Sequence, residues 1–228
     1  AYLVKGGEQY RKSIAEARKA GDEASQAYSL GFLAGLYETE GRYAEALQLS
    51  RAALDLAQKN SLPDAVYQWQ WLVGRLHNLL GDRDRAIDSY QTAISNLQTI
   101  RNDLAIVYGN VNSPTTFRDS VGPIYYELAD LILKKADDTK DAAARSELLL
   151  EARETVEALK GAELSNYLQD DCVNMVNSGA KSIGQMSPTA AIVYIVPLED
   201  RLELLVETKD GLDKVSVDVT SQRLMEQA

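Results

Sequence analysis

One histidine and one cysteine, His77 and Cys172, are the residues in this chain that could run cysteine hydrolysis. The thiolate is the nucleophile, and it needs a base within hydrogen-bonding reach to take its proton. Supply therefore permits a dyad, but position argues against one. Cys172 lies in "QDDCV", where Asp170 and Asp171 would raise the thiol pKa rather than lower it. His77 falls in a packing slot of a periodic helical stretch, and both residues are assigned packing roles. A third possibility, that the chain is a peptidase through Cys172, predicts thiol-probe labelling that Cys172→Ala removes, and no such labelling is expected. One His and one Cys also fall short of the four N and S donors of structural zinc, so no metal site and no cofactor is assigned. The stretch "NSGAKSIGQMSP" offers Ser178 and Lys181 in a Ser-x-x-Lys pattern and a faint phosphate-loop look in "GAKS". A phosphate loop wants glycine directly before the lysine and again five residues earlier, where this chain has Ala180 and Met175. The companions of a serine–lysine site are missing too. Its Gly, Ser and Pro content makes this a connection before a strand, and no catalytic residue is assigned anywhere.

With chemistry thin, the weight moves to the elements. The chain has 228 residues, a formal charge of −10 and one cysteine, with a pI near 4.7. Such a surface repels phosphate backbones and anionic lipid, which excludes nucleic acid and membrane surfaces as expected partners. No apolar run approaches the roughly 18 residues of a membrane span, no signal segment opens the chain, and the lone cysteine fits a reducing compartment, so a cytoplasmic setting follows.

Laid over itself, "GLYETEGRYAEALQLSRAAL" matches "RLHNLLGDRDRAIDSYQTAI", with Gly41 on Gly81, Ala46 on Ala86 and Ala53 on Ala93. Repetition of this length predicts a helical solenoid. Gly41 and Gly81 are turns where a residue without Cβ ends a helix in the left-handed conformation. The four alanines fall where paired helices cross closely. The first segment, "AYLVKGGEQYRKSIAEARKAGDEA", is amphipathic and falls inside the second helix of an earlier copy, so the start reads as a cut through a longer chain.

Leu33, Ala34, Tyr37, Gly41, Ala46 and Ala53, then Val73, Gly74, His77, Gly81, Ala86, Tyr90 and Ala93, occupy the signature slots of a repeat that resembles the tetratricopeptide repeat. Ser50 takes a usually aromatic slot, His77 a usual tyrosine slot, and the spacing of 40 from Gly41 to Gly81 exceeds the family's 34, as longer helices would require. Stacked pairs leave a concave surface lined by the first helix of each pair. Tyr28, Gly31, Gly35 and Glu38 share one helical stripe, and Gln68, Trp71, Arg75 and Asn78 share the next. The resemblance implies that this stripe binds a protein or peptide. The plainer alternative is a solvated face, or one covered by the chain itself. Trp71 and Arg75 are the best contact candidates, as residue types that dominate interface energetics.

Residues 102–117 loosen the pattern, with "NVNSPTTFRDS" a loop or helix start. "SVGPIYYELADLILKKADD" and "TKDAAARSELLLEARETVEALKGAELSNYLQDD" then predict two helices joined at "DDTKD". "FRDSVGPIYYELADLIL" and "LLLEARETVEALKGAELSNYLQDDCV" together resemble the passage that joins repeats to a CHAT domain, the caspase-like module found with tetratricopeptide repeats. "AAIVYIVPLEDRLELLVETKDGLDKVSVDV" resembles that domain's opening strands.

From the residues alone, "TAAIVYIV" between Pro188 and Pro197 reads as a strand buried on both faces. "RLELLVET" is a second strand, and "DKVSVDV" a third, with Val215, Val217 and Val219 on one side and Ser216 and Asp218 on the other. "TSQRLMEQA" begins a helix capped by Thr220 or Ser221. About six large apolar side chains on these strands would forfeit roughly 1.5 to 3 kcal/mol each if left wet, a sum that rivals a domain's stability of about 5 to 15 kcal/mol. Something must therefore cover the sheet, whether the rest of a CHAT domain, the long helix before it, or another chain.

The expected fold is mostly α, an antiparallel helical-hairpin solenoid followed by a short β segment that begins a caspase-like α/β domain. Residues 1–101 are the repeats, 102–170 a linking helical pair, and 171–228 the N-terminal part of the CHAT-like domain. The resemblance implies a bacterial interaction scaffold, the non-catalytic portion of a caspase-like cysteine peptidase whose "HG"-type and cysteine-bearing segments are not in this sequence. Its partners would be a peptide in the groove and the remainder of its own CHAT domain, with displacement passed on through residues 141 to 168. The alternative is a self-contained adaptor without peptidase activity.

Overall fold

The computed structural model describes residues 2–100, 117–168, 190–220 and 223. Two compact units divide the chain, residues 1–101 and 102–228. Cys172, Ser178 and Lys181, and residues 102–116, lie outside the described residues.

In the first unit α1 (Tyr2–Ala20), α2 (Glu23–Thr39), α3 (Tyr43–Lys59), α4 (Pro63–Leu79) and α5 (Arg83–Thr99) follow one another. One turn is used four times. Gly21, Ser61, Gly41 and Gly81 all take positive φ, at 70°, 51°, 73° and 83°. In each, the N–H of the next residue reaches back to a carbonyl one turn inside the helix: Asp22 to Ala17, Arg42 to Tyr37, Leu62 to Ala57 and Asp82 to His77, all at 2.9 Å. This is the Schellman closure, which satisfies carbonyls that the helix end would orphan. The residue completing it also starts the next helix, where the Asp22 carboxylate accepts from the Ser25 N–H and the Asp82 carboxylate from the Arg85 N–H. Two such units make the long repeat, because the paired helices have 17 residues each.

Ser61 alone takes this turn with a Cβ, and the left-handed conformation costs a side-chain-bearing residue about 1 kcal/mol. Ser61→Gly is therefore expected to stabilise the repeats by about 1 kcal/mol, read as a higher urea midpoint at unchanged slope.

The crossings are as the repeat requires: Ala46, Ala53, Ala86 and Ala93 are fully buried. The two copies solve their centres differently. Gly74 lies under the ring of Tyr90, where a Cβ would come within 2.9 Å of Cδ2. The equivalent pair in the other copy is Ala34 and Ser50, with Ser50 buried and its hydroxyl donating to the Leu47 carbonyl. Large against none, and small against small, fill the same space.

In the second unit α6 (Phe117–Asp138) and α7 (Ala142–Leu168) form a hairpin, followed by β1 (Ile192–Pro197), β2 (Leu202–Thr208) and β3 (Gly211–Val217). The turn before α7 is capped by Asp141, whose carboxylate accepts from the Ala144 N–H at 2.8 Å. Ile124, Tyr125, Leu128, Ile132, Leu149, Val156 and Leu159 bury the space between the helices. The strands form an antiparallel meander in the order β1-β2-β3, with Tyr194 opposite Leu205 and Glu203 opposite Ser216. Past it, the Thr220 hydroxyl accepts from the Arg223 N–H at 3.3 Å, the expected cap interaction.

The sheet differs from its sequence reading in one respect. β1 is not buried on both faces: Val196 is fully buried, but Val193 and Ile195 are 51% and 60% exposed. A meander of tight turns carries no crossover helix to lay on its second side, as a parallel sheet would. The side of β3 turned inward is that of Lys214 and Ser216, while Val215 points out. Charge explains the choice. Glu203 and Glu207 share the inward face of β2 with Leu205 and are both buried, so cations must sit with them. Arg201 donates to Glu203 at 2.6 Å and meets Asp130 of α6 at 2.8 Å. Lys214 donates to Asp137 of α6 at 2.7 Å and to Glu203 at 3.3 Å. Arg153 of α7 donates to Glu207 at 3.1 Å, and the Tyr194 hydroxyl donates to the same carboxylate at 2.9 Å.

Candidate protein-binding surface

The predicted stripe of α2 faces α4, the first helix of the next pair. The Tyr28 hydroxyl donates to Asp64 at 2.7 Å. Burial together with that carboxylate pushes the Tyr28 phenol up to about 12. About three turns on, Arg75 donates through Nε and Nη2 to the two oxygens of Glu38 at 2.8 and 2.9 Å. The guanidinium also lies 5.0 Å from the Trp71 ring centroid. Bidentate geometry fixes Arg75 in direction as well as charge. Of the six site residues expected from the sequence, the structure thus brings Glu38, Trp71 and Arg75 into one cluster and pairs Tyr28 with Asp64. Gln68 is half-buried and Asn78 exposed on the same face of α4.

Between these anchors lie two glycines with different neighbours. At Gly31 a Cβ would come within 2.2 Å of the Trp69 indole, so α4 drives that ring against the α2 backbone. Trp69 is 5% exposed and stands edge-on to Phe32, with centroids 5.3 Å apart; Tyr10 of α1 stacks on the other side of Phe32 at 5.9 Å. At Gly35, one turn on, a Cβ would meet nothing within 4 Å. The spacings of the Tyr28–Asp64 and Glu38–Arg75 bridges, 36 and 37 residues, put Gly35 level with Trp71 and Leu72. The inner stripe therefore holds a notch at Gly35, level with the Trp71 indole and between the Tyr28–Asp64 hydrogen bond and the Glu38–Arg75 ion pair.

Sequence reasoning missed Trp69 and Asp64. Asp64 looks like a helix-start acid, and Trp69 falls off the inner stripe by two residues; only its reach across to Gly31 places it there. His77 is buried, 3.2 Å from an Arg51 nitrogen. Burial first, and the Arg51 charge second, lower its pKa, so Nε2 accepts from the guanidinium and the ring is neutral. This is the packing role expected of it. Among the described residues no cluster of His, Cys, Asp or Glu could hold a metal ion, and no helix is long and apolar enough to cross a membrane.

Residues 23–99 match the family model described as Tetratricopeptide repeat. That span holds both glycines, both bridges and all six candidate residues. The chain is similar to BtubC (BKLC) of P. vanneervenii, at 17% identity over 80% of this chain and 94% of that one, with a TM-score of 0.36. It is also similar to a putative kinesin light chain of Podosopora anserina with nearly identical TPR-like repeats, at 14% identity over 78% and 90% of the two chains, with a TM-score of 0.39. No curated protein matches. The chain is a TPR-like helical repeat region followed by a small antiparallel sheet. Nothing in these likenesses extends to a caspase-like domain or to catalytic residues.

Proposed function

We propose that the protein is an interaction scaffold that binds a protein or peptide partner along the inner stripe of its repeats, at Tyr28, Glu38, Gln68, Trp71, Arg75 and Asn78. The observation that carries this reading is the notch at Gly35. A glycine inside a helix costs about 1 kcal/mol against alanine, and Gly35 neither takes a positive φ nor yields to a packed neighbour. Room kept clear at such a cost, beside Trp71, suits the close approach of another backbone or side chain. The bridges suit the same purpose, since they hold polar groups in fixed directions for a partner to read.

The test is selection of binders from a random displayed-peptide library, followed by affinity measurement on Trp71→Ala with Arg75→Ala, and on Gly35→Leu. Selected peptides should lose about tenfold or more on either variant, the range of a hot-spot contact. Peptides indifferent to both would remove the groove from the proposal, as would repeated selection without a binder.

A second reading keeps the repeats and adds the caspase-like resemblance of residues 171–228, with 102–170 as the linking pair and the remainder of a CHAT domain as the sheet's intramolecular partner. The contact that favours it is Arg153 of α7 on Glu207 of β2. A displacement carried along residues 141–168 would arrive at the sheet through that ion pair. The encoding reading frame decides: histidine- and cysteine-bearing segments of the caspase type beyond Ala228 would support this reading, and a stop there would leave the adaptor. For the adaptor, the single cysteine supports a reducing, cytoplasmic setting.

A further inference from the structure

The sheet of the second unit buries Val196 and Leu205 beside the Glu203 and Glu207 carboxylates and turns other aliphatic side chains away from its helices. Register and alternation place Val193, Ile195, Leu204, Val206, Val215 and Val217 together on the outward face; Ile195, Leu204 and Val215 form a row across all three strands, and the next row, Val193 and Val206, ends on Asp213. Val215 is 50% exposed, close to the values for Val193 and Ile195. At this patch stand Glu199 in the first turn, Asp210 in the second and Asp213 on β3, all exposed; Asp200 of the first turn is paired with Arg201 at 2.9 Å. Lys209 is the one exposed cation in those two turns. Contiguous apolar surface with a polar rim marks an interaction site rather than the ordinary scatter of surface hydrophobics.

We propose that this face docks a single amphipathic helix from a partner protein, about four turns long, with lysines or arginines flanking an aliphatic stripe. Dimensions select the helix. Three strands about 4.8 Å apart are about 10 Å wide between the outer two, the diameter of one helix with its side chains. Strands of six or seven residues are about 20 Å long, which about thirteen helical residues span. The rim selects the charge: basic side chains lay their methylenes on aliphatic surface and carry their heads outward, here to Glu199, Asp210 and Asp213. A helix on this side also gives the sheet the second layer that stable α/β architectures have. The rim works against other occupants. A second copy packed face to face about a two-fold axis would bring the same acidic rims together, and anionic lipid would be repelled.

This proposal goes beyond the repeat groove and does not depend on it. The test adds two synthetic helical peptides of about sixteen residues to the full chain, with one leucine stripe between lysine flanks in the first and glutamate flanks in the second. The readout is the methyl NMR signals of Val193, Ile195 and Val215. The lysine-flanked peptide is expected to bind at least about tenfold tighter and to shift those methyls, with an advantage that shrinks as salt rises. Ile195→Lys should abolish the shift, and the isosteric Val215→Thr should weaken it while the spectrum stays folded. Trp71→Ala should change nothing, which separates this face from the groove. Four results would each overturn the proposal: no methyl shift with either peptide, equal binding of both peptides, a dimer that Ile195→Lys dissolves, or methyls already shielded from a soluble paramagnetic agent without peptide.

Discussion

Alanine at Gly31 is expected to lower the stability of the repeats by about 2 kcal/mol, while alanine one turn on, at Gly35, is expected to raise it by about 1 kcal/mol. The two residues share a helix, a stripe and helical backbone geometry, so propensity favours both substitutions equally. They differ in what lies over them. A methyl group at Gly31 would stand 2.2 Å from the Trp69 indole, far inside contact distance, and Trp69 is held by Phe32 and by burial on its remaining sides. The ring must be displaced, and overpacking of this kind costs about 1 to 3 kcal/mol, occasionally more. A methyl group at Gly35 meets nothing, so only the propensity gain of about 1 kcal/mol remains. Urea denaturation followed by tryptophan fluorescence checks both, since the two tryptophans, Trp69 and Trp71, lie on α4. A neutral Gly31→Ala would mean that α2 and α4 can separate without loss, and the inner stripe would then have no fixed geometry.

Glu203→Gln should loosen the sheet from its helices by about 3 kcal/mol, the cost of breaking a buried ion pair from one side. Glu203 is fully buried, and it accepts from Arg201, Lys214 and the Ser216 hydroxyl, the last at 2.7 Å. Burial by itself would raise the carboxyl pKa. The hydrogen bonds from Ser216 and Arg201, and the charges of Lys214 and Arg201, outweigh it and hold the group below its ordinary value of 4.5. The sign of the pH dependence follows. A carboxylate depressed in the folded state contributes stability that is complete above its unfolded pKa and is lost as pH falls through the folded one. Hydrogen exchange at the β2 amides should therefore be slow and flat from neutral pH to about 5, after allowance for intrinsic exchange, and lose protection below that. Glu203→Gln should remove that acid step and lower protection at neutral pH. Replacing Glu203, Arg201 and Lys214 together with leucine and methionines should recover part of the loss, because well-packed apolar groups often match a buried ion network. A Gln variant as protected as the parent at pH 7 would show that the network contributes nothing to the seat of the sheet.

What the sequence made legible follows from which interactions are local. The glycines at 41 and 81 and the alanines at the crossings are dictated within one hairpin, and each is found in its predicted role. The turn at Ser61 was invisible to the same reasoning, since its left-handed backbone is imposed by its place in the repeat and not by its residue type. The candidate residues on α2 and α4 were legible as a stripe. Their pairing was not, because Tyr28 with Asp64 and Glu38 with Arg75 depends on how one helix slides along another. Strand positions were readable from alternation, but alternation is symmetric and does not say which side points in. Hydrophobicity alone would bury Val215 and expose Lys214. The opposite holds because two glutamates on the neighbouring strand need cations beside them.

The four identical turns carry a consequence for how such a protein changes length. Gly41 and Gly81 have the same backbone closure and hand the chain to helices of equal size, so a crossover between the gene segments encoding them would excise or insert one whole hairpin with both joints intact. Growth and shrinkage by such unequal exchange proceed in steps of 40 residues. A deletion of 20 residues would also join one left-handed turn to another, but it would leave a hairpin with a single helix.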